Sequence, residues 1–497
     1  MPTIEYLCGG TMKNHVTLLA LTSIALAAAL PAFAGNATMR RLSSDHFTNA
    51  NSQHHTELEP DTFAYRSTEV AVFQEGRFYD GGSSDTGWAT SSNGGRTWKR
   101  GVLPGITKIQ DPANGKYDRV SDPSVAYDAK HGVWLIAGLP LVNQSSGPIG
   151  QVPVVNSSSD GIHWNNPVKV APDNGDYMDK DWIVCDNGAS SPHAGNCYLE
   201  WDDNYQGDLV MMSTSSDGGQ TWSTPYTVNN AYGLGGQPLA QPNGNVVVPF
   251  SDGVSNVLAF SSTDGGRTWG NLVTVAAGNE HGVAGNMRTS LLPSAEVDAA
   301  GKVYVVWQDC SFRTNCAEND IVMSSSTDGR SWSPVARIPI DPTNSTVDHF
   351  IPGLAVNPRT SGSSAKLGLT YYYFPQANCS VANCALTVGY VSSHNGGATW
   401  SAPTQLSPAM NVQWLANTNQ GYMVGDYMSN SFVGRGTHGA FAVAAANSGT
   451  TFFEAMFTSA AAQPALASSL EFSSRFDRRV RNAHSDHARR RYPPTAN

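Results

Sequence analysis

Hydrophobic and polar positions alternate in short runs along this chain, and the runs come in sets. Lys302–Gln308 reads Lys-Val-Tyr-Val-Val-Trp-Gln, β-branched, aromatic and almost continuously apolar, as expected of a strand covered on both faces. Leu291–Val297 precedes it, and Asp320–Ser325 and Val335–Ile338 follow, so this stretch predicts four strands in a row. The same order of parts begins again at Glu59, Tyr117, Met178, Gly235 and Phe350. A last set, Val424–Val433, Gly439–Ala445 and Thr451–Phe457, has three runs and lacks a fourth. Met39-Arg40-Arg41-Leu42-Ser43-Ser44-Asp45 is similar to the fourth runs Pro167–Val170 and Val335–Ile338, so the N-terminal residues are expected to supply the missing outer strand. Removing residues 35–48 should then cost stability.

Six near-copies of one phrase separate the third and fourth runs. Ser215-Ser216-Asp217-Gly218-Gly219-Gln220-Thr221-Trp222 is one, and the others end at Trp98, Trp164, Trp269, Trp332 and Trp400. Two are a residue shorter (at Trp164 and Trp332), and two carry Asn93 or Asn395 in place of Asp. Asp or Asn followed by Gly is hairpin chemistry, because Gly accepts φ > 0 and the short side chain bonds its own turn. The following Trp is placed to plug the gap beside the next sheet. A recurrence at roughly 50–70 residues points to a repeat array.

This phrase is the Asp-box, and over roughly residues 36–458 the chain resembles the Asp-box (bacterial neuraminidase repeat) β-propellers, which include sialidases. The resemblance implies an all-β propeller of four-stranded antiparallel blades, six of them with Asp-boxes. Seven blades are expected from the sets, with six, the sialidase number, as the alternative. The boxes lack the ligand series of a calcium loop, so they read as structural, and no metal or cofactor is expected.

Charged residues make up 14% of the chain, Gly numbers 48 and Trp 12, in keeping with many short strands and tight turns. A formal net charge of −10 argues against a nucleic-acid groove. Met12-Lys13-Asn14-His15, the apolar run Val16–Leu30 and Ala32-Phe33-Ala34 form a secretory signal with cleavage near Ala34, too short an apolar run for a membrane anchor. The expected organisation is an N-terminal extension plus signal (1–34), one propeller (35–459) and a disordered basic tail (460–497), in a secreted or periplasmic monomer without a transmembrane segment. Cys185/Cys197, Cys310/Cys316 and Cys379/Cys384 are local pairs, which in an exported protein read as disulfides rather than zinc ligands.

If the boxes line one face, the loops between strands two and three and those leading into each set open at the other. These loops hold most of the unusual ionisable residues. Arg77, Arg119, Arg288 and Arg313 are candidates to bind an anion, since guanidinium forks match carboxylates, with Lys180, Asp181, Asp309 and Asp426 beside them. Sialidases combine such an arginine cluster with a tyrosine nucleophile, a glutamate and an aspartate acid. What the resemblance implies here is a choice among Glu75 or Glu280, Asp80, Asp118 or Asp122, and Tyr371–Tyr373 (Tyr372 foremost) or Tyr427. The sialidase signature Tyr/Phe-Arg-Ile-Pro is absent, Tyr65-Arg66 being followed by Ser67-Thr68. Two functions follow: a sialidase-like glycoside hydrolase acting on polar or acidic glycans in a funnel opposite the boxes, or a non-catalytic propeller that binds a glycan or protein there.

Overall fold

The computed structural model describes residues 38–173, 175, 177–460 and 462–464. The expected signal segment and the tail beyond Pro464 lie outside the described residues. Among the described residues the regular structure is β, apart from four single-turn 3₁₀ segments, and no helix is long and apolar enough to cross a membrane.

The fifth set forms an antiparallel meander of Ser294–Val297, Val303–Asp309, Asp320–Ser326 and Ala336–Arg337. Val303 through Trp307 are fully buried, which explains the near-continuous apolar run. Equivalent meanders span 178–232, 239–277 and 348–405. The strands of 53–102, 119–169 and 429–459 belong to one 14-stranded sheet, joined by the bridges Ser83↔Val120 and Thr56↔Glu454. The last meander takes its outer strand from the other chain end: Met39–Arg41 pairs antiparallel with Glu454–Ser459, in the register Met39↔Ser459 and Arg41↔Phe457. Gln463–Pro464 also pairs with Gly436–Thr437, so strand structure runs past residue 459, where the tail was expected to start.

Apolar cores lie between successive meanders. One joins Val70, Val72 and Trp88 to Val125 and Trp134; another joins Tyr304 and Val306 to Leu354 and Leu369. The largest unites Phe350 and Phe374, Phe441 and Ala442, and Ala71 and Phe73, with Leu42 buried among them.

The repeated turn explains the spacing between meanders. In the copy at Trp222, Ser215 Oγ donates to Asp217 Oδ1 (2.8 Å), which also accepts from the Gln220 and Thr221 amides (3.0 Å each). The Ser331 and Arg330 amides hold the Asp328 carboxyl down at about 2 in the same way. The second glycine of the longer copies has φ > 0 and sits against the preceding meander: a Cβ on Gly266 would lie 2.3 Å from Thr214 Oγ1, and one on Gly95 2.0 Å from the His438 ring. The tryptophan follows the same side. Trp222 packs on the core that holds Leu135 and Ala137, and the Trp269 ring meets Tyr198 edge-on at 6.0 Å. The plug therefore fills the gap beside the preceding sheet, not the next, because the glycine has already brought the turn onto that neighbour.

For the turn at Gly95 the preceding meander is the last one. His438 Nδ1 meets Glu69 Oε2 at 2.7 Å with both side chains buried, linking last and first meanders. Ser43 Oγ donates to Glu57 Oε2 (2.6 Å) and accepts from the Met456 amide (2.9 Å).

Leu42→Ala should cost about 2–5 kcal/mol, the usual range for an apolar truncation in a packed core. Removing residues 35–48 should cost more. Urea midpoints measure both, and unchanged values would mean that the N-terminal strand contributes nothing to the seam.

Candidate functional site

A cavity of about 270 Å³ is lined by residues of the first three sets of strands and of the segments 288–290 and 419–426. Three inner strands build it with the same device. Each has a register shift, between Leu58 and Asp61, between Ser121 and Ser124, and between Asp179 and Asp181. At each shift one non-glycine residue takes a left-handed backbone: Glu59 (φ 59°), Asp122 (φ 47°) and Lys180 (φ 43°). Bulges re-aim side chains, and such backbone strain concentrates at functional sites. Here they bring Lys180 Nζ to 3.0 Å from Asp122 and 3.7 Å from Glu59. Arg77, Asp80, Tyr177, Asp179, Arg288, Ser290, Asn419, Gln420 and Asp426 complete the polar wall.

The cations of the cavity are paired with one exception. Arg288 holds Asp426 through two hydrogen bonds, Nε to Oδ1 at 2.7 Å and Nη2 to Oδ2. Burial alone would raise the Asp426 carboxyl, but Arg288 and Lys180 outweigh it and hold it at about 2. Burial likewise works against the Lys180 charge, and Asp122 and Glu59 overcome it, so the ammonium stays protonated. Arg119 Nη1 bonds Asp80 Oδ1 at 2.5 Å and lies over the Phe78 ring, standing behind the cavity wall. Arg77 is the exception. It is buried, its Nη1 donates to Gln74 Oε1 (2.9 Å), its Nε has no partner, and among the described residues no carboxylate lies within ion-pair distance of it. Burial and the nearby Arg288 lower its pKa, the signature of a cation short of an anion.

Two carboxyls respond in the opposite sense from Asp426. Burial, with Asp122 close by, raises Glu59 to about 7 and Asp179 to about 6. Titratable neighbours pushed to different values are the usual mark of acid and base roles.

A larger cavity of about 520 Å³ is lined by the inner strands from Asp61, Val125, Trp182, Gln237, Ser294, Leu354 and Met428 onward. Its lining has acids such as Asp61 and Glu296 but no Lys or Arg. It offers an anion nothing.

Residues 150–356 match the BNR repeat-like domain. No curated protein sequence matches this chain. Among solved structures, a PL25 polysaccharide lyase (an ulvan lyase) is similar over 88% of this chain and 99% of its own, with a TM-score of 0.51 and 11% identity. The intramolecular trans-sialidase of Ruminococcus gnavus matches over 66% and 92% respectively (TM-score 0.44, 12% identity). The Hadza microbial sialidase Hz136 matches over 82% and 66% (TM-score 0.41, 15% identity), so the chain spans just under two thirds of that sialidase. Likeness at these identities speaks to fold, and the site must speak for its chemistry.

The cavity gathers Arg77, Asp80, Asp122, Lys180, Arg288 and Asp426 from the residues singled out in the sequence. The others stand elsewhere. Asp181 is buried beneath it, near Ser124 Oγ (3.4 Å). Tyr427 is buried with its hydroxyl donating to Pro123 O (3.3 Å) and Lys180 Nζ over its ring. The Tyr372 hydroxyl is engaged with the Ala442 backbone between two meanders, and Tyr371 and Tyr373 are buried too. Asp118 pairs with Lys108 and accepts from the Asn143 amide. Asp309 accepts the Asn279 and Ser311 amides, and Glu280 is bonded to Gln308. Arg313 is locked by Asp320 and Asp341 and donates to the Pro342 and Ser345 carbonyls. Glu75 lies under the N-terminal segment, near the Ser44 amide. The three expected disulfides, Cys185–Cys197, Cys310–Cys316 and Cys379–Cys384, are present. Asp179, noted in the sequence beside Lys180 and Asp181, also lines the cavity, and Glu59 and Tyr177 do so without having been singled out; the register shifts shared by three strands link Glu59 and Asp179 to Asp122.

Asp426→Asn leaves the partly exposed Arg288 charge without its partner and should cost about 1–3 kcal/mol, less than the loss of one partner of a fully buried pair. The Asp426 pKa lies lower in the folded chain than in the unfolded one. Its contribution is therefore complete above the ordinary aspartate range and lost as pH falls toward about 2. Denaturation of wild type and variant should give a stability gap that is constant near neutrality and narrows in acid; a pH-independent gap would contradict the pairing.

Proposed function

We propose that this chain is an exported, sialidase-like glycoside hydrolase that binds an acidic sugar at Arg77 and cleaves its glycosidic bond in the cavity opposite the repeated turns. The scaffold is a single closed propeller whose strands run from Met39 to Pro464, with seven blades. The N-terminal strand in the last meander, the contact of the last inner strand with both Asp348–Val356 and Gln53–Tyr65, and a cavity lined from seven inner strands support that ring. Three disulfides accord with export.

The observation that carries the function is Arg77, a buried guanidinium with no carboxylate partner, beside carboxyls raised toward neutrality. A sugar carboxylate supplies the missing partner through a bidentate fork. Protonated Glu59 then gives its proton to the departing glycosidic oxygen while ionised Asp179 takes one from the attacking water, so acid and base each change by a single proton. Lys180, fixed between Glu59 and Asp122, and the Arg288–Asp426 pair hold the wall rigid and stay charged throughout.

A panel of sialosides and uronic-acid glycosides tests this. The expected result is release of a saturated sugar, with a rate that rises through about pH 6 as Asp179 ionises and falls above about pH 7 as Glu59 loses its proton. Arg77→Ala should abolish turnover with the melting curve retained. An unsaturated sugar product would replace hydrolysis with elimination, and tight binding without turnover would assign the cavity to recognition alone.

A further inference from the structure

The seam holds a second group of ionisable side chains that the cavity chemistry does not use. Asp45 follows the N-terminal strand, His55 and Glu57 lie on the first inner strand, and Glu75 faces Glu57 across the ladder. One ligand atom from each of Asp45, His55 and Glu57 lies within 4.8 Å of the other two. The carboxylates of Asp45 and Glu57 are shut off from solvent (1% and 0% exposed). Glu57 Oε1 and Glu75 Oε2 are buried with no hydrogen-bond partner, and the other Glu75 oxygen meets the Ser44 amide only at 3.4 Å.

Cationic compensation is thin. Arg41 reaches Glu57 at 3.5 Å from a side chain that is 44% exposed, and His54 approaches Asp45 at 3.5 Å. A comparison lies in the same molecule. Asp320, Asp341 and His349 come equally close, yet Arg313 and Arg337 each bond both of those carboxylates. That cluster is neutralised by the protein itself; the seam cluster is not. His55 also takes a left-handed backbone (φ 58°), and its ring stacks on Phe453 at 6.3 Å.

We propose that Asp45, His55 and Glu57, with Glu75 beside Glu57, form the binding site of a divalent transition-metal cation of the Zn²⁺ class, which clips the N-terminal segment to the first meander. Two carboxylates and one imidazole suit such a borderline ion, whereas Ca²⁺ takes six to eight oxygens. A bound cation gives the two unpartnered buried carboxylate oxygens a partner. The site is independent of the cavity and of any reaction there.

The untagged full chain, loaded with Zn²⁺ and dialysed against metal-free buffer, should retain one ion per chain by elemental analysis. Chelation should lower its melting temperature, and Zn²⁺ but not Ca²⁺ should restore it. His55→Ala, at a partly exposed position, should fold and lose the ion, as should Glu57→Gln; His163→Ala, on an exposed turn, should keep it. Absence of bound metal, retention of metal by His55→Ala, or restoration by Ca²⁺ alone would overturn the proposal.

Discussion

The contact between the last and first meanders is the constraint on which the rest of this molecule depends. It is made by a borrowed strand, by Leu42 in the shared core and by the buried Glu69–His438 pair. Long-range closure of this kind carries a chain-entropy cost, because residues near position 40 must find partners near position 457. Pairing the N-terminal strand there also covers the outer edge of Glu454–Ser459.

The same seam positions the chemistry. Glu59 and Arg77 come from the first meander and Asp426, Asn419 and Gln420 from the approach to the last, so the cavity straddles the junction. The Glu59 side chain accepts from the Asp426 amide at 3.2 Å, a direct bond across it. Inner-strand bulges supply the second half of the geometry. They turn Glu59, Asp122 and Lys180 out of the strand alternation and into one charged wall, which a regular ladder would have sent to alternate faces.

Much of the fold could be read from local chemistry. The Ser-x-Asp-Gly turns act within a few residues, so their hydrogen bonds are implicit in the phrase itself, and the missing fourth run of the last set pointed directly to Met39–Arg41. The side on which each tryptophan packs was not legible, because it depends on how a turn meets a neighbouring sheet. The site shows the same division. Loop position brought Arg77, Lys180, Arg288 and Asp426 to notice, yet no spacing reveals that Arg288 is spoken for while Arg77 is free. Arg313 looked equivalent until strand pairing set Asp320 against it and a turn added Asp341. Glu59 was hidden because a glutamate in a strand reads as one of many polar positions; only its bulge gives it a direction. Asp45, His55 and Glu57 fall on two elements brought together by the seam, and so form no sequence motif.

The most direct test of this account is a crystal structure of the protein soaked with a sugar acid. The account predicts the carboxylate against Arg77, between Glu59 on one side of the junction and Asp426 on the other. A sugar seated instead in the larger cavity that has no cation, or first and last meanders found apart, would contradict it.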